Sequence, residues 1–174
     1  RYVADMVARI GPLRRADGSR ISVVYDCGNG AGALVAPQLM QALDVDGIGL
    51  YTESDGTFPN HHPDPTVPEN IEALISAVRT HGAELGVAFD GDADRIGVVD
   101  RDGRIIWGDH ILILYARDVL ARTGAGQPII FDVKCSQALT DEITRAGGNI
   151  QNEFWLDVFQ LGNGSFSPPD VNSK

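Results

Sequence analysis

Apolar residues recur along this 174-residue chain in two alternating rhythms, one helical and one strand-like. Val3, Met6, Val7 and Ile10 fall at helical spacing, so an opening helix is predicted over 1–10, and the polar stretch Arg14 to Arg20 reads as a linker. Ile21 to Tyr25 is a β-branched run that leads into Asp26-Cys27-Gly28-Asn29-Gly30-Ala31-Gly32, after which Leu34, Leu39 and Leu43 fit an amphipathic helix. That is the order strand, glycine turn, helix. A further strand is expected at Gly47 to Tyr51, followed by a long irregular stretch, Glu53 to Pro68, rich in proline and carrying His61-His62. A loop of that length inside a compact domain is usually functional. Ile71, Leu74, Ile75 and Val78 restore the helical spacing over 70–80. Leu85 to Phe89 is apolar on both faces, as a central parallel strand would be, and such a strand needs helices on both sides.

Ile96 to Asp100 and Arg104 to Trp107 flank Asp102-Gly103, a hairpin signal, with Trp107 expected in the core. Asp109 is a candidate N-cap for a helix through Ile113, Ala116 and Leu120. Pro128 to Val133 reads as a strand, with a helix at 138–145. The alternation predicts an α/β fold, a three-layer α/β/α sandwich with a mainly parallel sheet and an antiparallel hairpin. It divides the chain into an opening helix and linker (1–20), an α/β domain (21–124), the strand and helix of a partial further domain (125–150), and a Gly-, Ser- and Pro-containing tail (151–174), for which disorder is one expectation.

Composition narrows the class. An apolar share of 43% and a charged share of 22% suit a globular chain with a core, not one disordered throughout. The net charge of −10 disfavours polyanions, so nucleic acid and anionic membrane surfaces drop out as partners. No apolar run is long enough to span a bilayer, and the opening residues mix acids and bases, so a cytoplasmic protein is expected. Cys27 and Cys135 stand far apart without metal-like spacing and are read as reduced thiols packed as small apolar groups.

The chemistry is concentrated in Asp90-Gly91-Asp92-Ala93-Asp94-Arg95, which begins where the buried strand Leu85 to Phe89 ends. In open α/β sheets ligands bind beyond the carboxyl ends of the strands. Three carboxylates at alternate positions repel one another unless a hard cation joins them, and magnesium is the natural candidate. A calcium EF-hand would need Gly at Arg95, Glu at Arg101 and a helix before the loop. A haloacid-dehalogenase-type phosphatase would use Asp90 as nucleophile and usually has Thr or Val where Asp94 stands. His61-His62 could bind a metal or shuttle protons, but without a spaced carboxylate or third His, loop architecture is expected, and Gly28-x-Gly30-x-Gly32 lacks dinucleotide spacing and reads as a tight turn.

The loop carries unaltered the Asp-Gly-Asp-Gly/Ala-Asp-Arg pattern of the phosphohexomutases, the phosphomannomutase/phosphoglucomutase family. The resemblance runs from Ile21 to Ile150 and takes in Val24 to Gly32, Asp55 to Pro65 and Phe131-Asp132-Val133-Lys134-Cys135. It is to the second domain and the opening of the third. The resemblance implies that Asp90, Asp92 and Asp94 bind one magnesium ion and that Arg95 lies near a phosphate. It further implies that Lys134 reaches the sugar, with His61 and His62 as further candidates for substrate contact. The family's Thr-Ala-Ser-His-Asn-Pro phosphoserine loop does not occur in these 174 residues, and from Gln151 the chain departs from the family's pattern. A magnesium-binding part of a hexose-phosphate mutase, incompetent as a mutase alone, is therefore expected. The alternative is a hydrolase built on the same carboxylates, a glycosidase or a metal-dependent phosphatase. The apolar strand Ile129, Ile130, Phe131 and Val133 would then be open to a second copy, which predicts a homodimer.

Overall fold

The structure, a computed structural model, describes residues 1–132 and 134–153. Val133 of the expected apolar strand, and the predicted tail from residue 154 onward, lie outside the described residues. The chain forms two compact units, the first spanning Arg1–Ile111 and the second beginning at Leu112.

In the first unit a helix, α1 (Tyr2–Ile10), precedes the strands β1 (Ser22–Asp26) and β2 (Asp46–Leu50), which are joined by α2 (Ala36–Ala42). Helix α3 (Glu72–His81) then leads to β3 (Leu85–Phe89) and the hairpin β4 (Ile96–Asp100) and β5 (Ile105–Ile106). The sheet order is β2-β1-β3-β4-β5. β1 runs parallel to both β2 and β3, with Tyr25 opposite Val87, whereas β3 and β4 are antiparallel. The parallel half thus puts the carboxyl ends of β1 and β3 side by side, and the residues that follow them share one edge of the unit.

Alternation along β1 and β3 splits the core into two layers, as the period-2 geometry of strands requires. Val24, Ala88 and Val99 pack with Ile71, Leu74 and Val78 of the α3 segment on one face. Val23 and Val87 pack with Leu43, Val45, Leu39 and Met40 near α2 on the other, where Val7 of α1 also rests. Leu74 and Val78 are fully buried, and each such side chain contributes about 1.5–3 kcal/mol. Helix α3 ends at Gly82, whose left-handed φ of 63° lets its N–H close back on Val78 and Arg79. The Arg14 to Arg20 segment is no loose linker. It folds back on itself through an Arg14–Arg20 bridge, and Arg15 donates to Glu84 at 2.8 Å. Trp107, expected in the core, is half-exposed instead.

The second unit holds the greater part of α4 (Gly108–Thr123), then β6 (Pro128–Asp132), α5 (Gln137–Arg145) and β7 (Asn149–Glu153). β6 and β7 pair in parallel, Ile129 opposite Ile150. Ile113 and Ala116 of α4 pack on Ile129, Phe131, Leu139 and Ile143. That packing explains why the division falls after Ile111, inside α4, where the sequence reading set it at 124. The helix starts at Gly108, so Asp109 lies within its first turn and accepts from the His110 N–H at 2.9 Å. β7 continues in register to Glu153, three residues past the point where the sequence departs from the family pattern, because Gln151 to Glu153 pair with Ile130 to Asp132. Among the described residues no helix is long and apolar enough to cross a membrane.

Candidate metal centre

β3 ends at Phe89, and the chain then turns through the six residues 90–95 to re-enter the sheet as β4 at Ile96. Asp90 holds that turn together. It is only 2% exposed, and its Oδ1 accepts from the backbone N–H groups of Asp94 and Arg95, both at 3.0 Å. Its Oδ2 accepts from Nε of Arg95 at 2.8 Å, and its carbonyl from the Ala93 N–H at 3.1 Å. Ala93 takes a left-handed φ of 62°, which tightens the loop at some cost to a residue with a Cβ.

The loop brings one carboxylate oxygen each of Asp90, Asp92 and Asp94 within 4.8 Å of one another, Asp90 buried and the other two exposed. The electrostatics match. Repulsion from Asp92 and Asp90 pushes the Asp94 carboxyl above its ordinary value. For Asp90, burial acts to raise the carboxyl, but the backbone and guanidinium donors of Arg95 outweigh it and hold it below the ordinary range. A donor set of three carboxylates fits a hard divalent cation. Two exposed members leave open positions for water, as a magnesium ion usually keeps.

The glycine turn after β1 docks on this loop. The Ala31 N–H donates to the Gly91 carbonyl at 2.9 Å, and a Cβ at Gly30 would stand 2.7 Å from that same oxygen. The turn's leading amide is therefore used inside the protein, in keeping with a packing turn rather than an anion site. Beside it lies a cleft of ≈ 390 Å³ lined by Tyr2, Leu34, Leu39, Phe89, Asp92 and Ala93.

The proline-rich loop crosses over both. Asp64 Oδ1 sits 3.5 Å from Nη1 of Arg95, so that guanidinium, about half-exposed, lies among Asp90, Asp64 and Asp94. His61 points inward. Its Nε2 lies 3.1 and 3.3 Å from the two oxygens of Asp26, and its Nδ1 lies 2.9 Å from the His62 carbonyl. Both ring nitrogens are thus engaged within the protein, and His62 is the exposed member of the pair. Lys134 belongs to the second unit, with Nζ 3.5 Å from Asp132 Oδ2 and its side chain 85% exposed. Of the sequence-predicted residues, the structure groups Asp90, Asp92, Asp94 and Arg95 in one loop of the first unit.

Sequence reading missed Asp26 and Asp64. Asp26 is fully buried at the end of β1, where its Oδ1 accepts from the Gly28 N–H at 2.8 Å. Burial pushes its carboxyl up, against the lowering effect of Gly28 and His61. The available signal was positional, since Asp26 ends an apolar strand just as Asp90 follows one. Cys27 beside it is buried, and its thiol is pushed up to about 12, which makes it inert at neutral pH.

A family model described as phosphoglucomutase/phosphomannomutase, alpha/beta/alpha domain II, matches residues 1–103. A phosphomannomutase/phosphoglucomutase of Pseudomonas putida is 55% identical over 139 residues, 80% of this chain and 29% of that protein. A phosphoglucomutase of Neisseria gonorrhoeae is 49% identical over 128 residues, covering 74% of this chain and 28% of the relative. Among solved structures, a phosphoglucomutase/phosphomannomutase family protein of Burkholderia thailandensis superposes with a TM-score of 0.80 at 43% identity, covering 87% of this chain and 32% of that one. The chain therefore spans roughly three tenths of the length of the curated relatives it matches.

Proposed function

This chain belongs to the phosphoglucomutase/phosphomannomutase family, and from that premise we propose that it is the magnesium-binding part of an enzyme acting on hexose phosphates. The observation that carries the proposal is the convergence of Asp90, Asp92 and Asp94 to within 4.8 Å at the end of the buried strand β3. In this reading the three carboxylates hold one Mg2+, which supplies Lewis-acid stabilisation of charge on a transferring phosphoryl group. Asp90 fixes the loop's shape, and Arg95 presents a partly exposed guanidinium for a phosphate. Lys134 and His62 are proposed to contact the sugar phosphate, while His61 already has both nitrogens engaged. A cytoplasmic setting goes with a charged substrate that does not cross membranes.

Thermal melting across a Mg2+ titration tests the proposal. A ligand that binds only the folded chain stabilises it by about 2.7 kcal/mol at one hundred times its Kd. A rise of several degrees is expected in the chain and none in Asp92→Asn. An unchanged midpoint in the unaltered chain would sink the metal reading. The 174 residues alone are further proposed not to interconvert hexose 1- and 6-phosphates, because they contain no phosphoserine loop of the family's type. Turnover by the purified chain in a coupled assay would overturn that.

The crowding of the Asp90, Asp92 and Asp94 carboxylates within 4.8 Å favours one second reading, in which two of them serve as acid and base for hydrolysis. Aryl glycosides and aryl phosphates, offered with and without Mg2+, separate the two readings. For assembly we propose a homodimer through β6, on which Ile130 is 53% exposed, and light scattering showing a monomer would remove it.

A further inference from the structure

Three loops meet at the carboxyl ends of β1 and β3: the glycine turn 26–32, the proline-rich loop 51–68 and the metal loop 90–95. They are joined by a few directional contacts. The glycine turn reaches the metal loop through Ala31 N–H to the Gly91 carbonyl, 2.9 Å. It reaches the proline-rich loop through Asn60 Nδ2 to Asn29 Oδ1, 2.7 Å, through Asn29 Nδ2 to the Glu53 carbonyl and the Asp55 N–H to the Asn29 carbonyl, both 2.8 Å, through the Asn29 N–H to the Tyr51 carbonyl, 3.1 Å, and through His61 to Asp26. The proline-rich loop reaches the metal loop through Asp64 to Arg95.

His61 is the only one of these contacts that ends on a fully buried carboxylate, and its chemistry is restrictive. The His62 carbonyl can only accept, so Nδ1 carries a hydrogen. Nε2 faces Asp26, so one proton lies on that line, carried by the ring or by the carboxyl. A rigid five-membered ring with a polar atom at each end spans this gap, and its side chain is 15% exposed. Tyr51 meets the ring edge-on at 5.2 Å. Below it, Gly28 leaves the space, since a Cβ there would stand 3.0 Å from Pro63 and 3.4 Å from His61. The same Pro63 lies over Gly91, where a Cβ would stand 3.4 Å from its ring. Asp64 comes next in the chain, and its N–H donates to the His62 carbonyl at 2.9 Å, the oxygen His61 also contacts. Asp64 is thus tied to the histidine by one shared acceptor while its carboxylate faces Arg95.

We infer that His61, clamped by Asp26, is a positioning residue for the metal loop, fastening the proline-rich loop so that Asp64 sets the guanidinium of Arg95 beside Asp90. The inference rests on the reading of Asp90, Asp92 and Asp94 as a metal centre, and it deepens that reading. His61 would touch neither metal nor phosphate. Its effect passes through Asp64 and Arg95, and through Pro63 onto Gly91.

Two readouts test it on the 174-residue chain: the NMR signal of the Arg95 Nε–H without metal, and the affinity for Mn2+ followed by electron paramagnetic resonance. Mn2+ takes the oxygen ligands that suit Mg2+. In His61→Ala the Arg95 signal is expected to move toward that of a solvated arginine, and Mn2+ affinity to fall about fivefold, less than the roughly tenfold or greater loss usual when a direct partner of a metal ligand is removed. Asp64→Asn should move the same signal, and the double variant should add nothing further. Asp26→Asn is the conservative control. Its Oδ1 can accept from Gly28 while Nδ2 donates to Nε2, so signal and affinity should stay within about twofold of the unaltered chain. If His61→Ala does not fold, His61→Gln replaces it, with the same displaced signal expected. A folded His61 variant with an unmoved Arg95 signal and unchanged Mn2+ affinity overturns the inference. If instead the unaltered chain and Asp92→Asn both fail to bind Mn2+, the metal reading fails, and the metal-free Arg95 signal still decides the positioning role.

Discussion

Asp26 and Asp90 stand at the ends of neighbouring parallel strands, 0% and 2% exposed, and yet their carboxyls move in opposite directions. Burial raises both. What differs is the set of donors. Asp90 receives two backbone N–H groups and a guanidinium, whereas Asp26 receives one N–H and a histidine nitrogen. Burial alone therefore does not decide which way a carboxyl shifts. The surrounding donors do, and the one held below its ordinary value is the one that belongs to the acidic cluster.

The largest test of this contrast is to neutralise each residue in turn. Asp90→Asn puts an amide N–H against Nε of Arg95, so two donors face each other, and a buried charge-assisted bond is lost. A cost of about 2–3 kcal/mol is expected, set toward the low end because Arg95 is half-exposed. Asp26→Asn can remake each of its hydrogen bonds and should cost under about 1 kcal/mol. Urea melts of both variants, without metal, measure the difference. Equal losses would mean that the two sites are held by the same forces.

A second test asks whether the two sites are mechanically joined. Gly30 has an ordinary φ of −83°, so alanine there is not strained by its backbone, and the cost lies in the contact with Gly91 O at 2.7 Å. Gly30→Ala is expected to lose about 2 kcal/mol, as overpacking does, and to weaken Mn2+ binding by displacing the metal loop. Gly56, with nothing within 4 Å, serves as the neutral control. If Gly30→Ala lowers stability and leaves Mn2+ binding unchanged, the two loops are neighbours without coupling.

The third test uses pH. The carboxyl of Asp26 lies above its ordinary 3.8 in the folded chain, so its contribution to stability is full below that value and is lost as pH rises through the raised one. That of Asp90 lies below 3.8, so its contribution is present above 3.8 and is lost as pH falls through the lowered value. Relative to Asp26→Asn, the unaltered chain should therefore lose stability as pH climbs from 3.8. Relative to Asp90→Asn, it should lose stability as pH drops below 3.8. Denaturant titrations from about pH 3 to about pH 6 give both slopes, and slopes of the same sign would refute the contrast.

Much of this site was legible in the chain for one reason: Asp90, Asp92 and Asp94 sit at alternate positions directly after an uninterrupted apolar strand, so local sequence carries the whole cluster. The helical spacing of Leu74 and Val78 announced α3 in the same way. Asp26 was not legible as a site, because its partner His61 is 35 residues away and an aspartate before a glycine turn looks like any turn residue. β7 was also hidden. Asn149-Ile150-Gln151-Asn152-Glu153 is too polar to read as a strand, and it forms one because β6 offers a parallel edge. Non-local pairing outweighs local propensity there.

The smallest effect lies in the backbone, and it separates the two loops once more. Each contains a non-glycine residue in the left-handed region, Asn29 at φ 58° and Ala93 at φ 62°. Asparagine tolerates that region, and Asn29 uses its side chain twice, donating to the Glu53 carbonyl at 2.8 Å and accepting from Asn60 at 2.7 Å. The methyl of Ala93 offers no such bond. A left-handed alanine costs about 1–2 kcal/mol, and glycine recovers this less the extra freedom it gives the unfolded chain, about 0.4–1 kcal/mol. Ala93→Gly should therefore gain about 0.5 kcal/mol in metal-free urea melts, whereas Asn29→Gly should lose stability because two buried-end hydrogen bonds go with the side chain. A loss in Ala93→Gly would show that its Cβ makes a contact worth more than the strain, and the metal loop would then be held by packing as well as by Asp90.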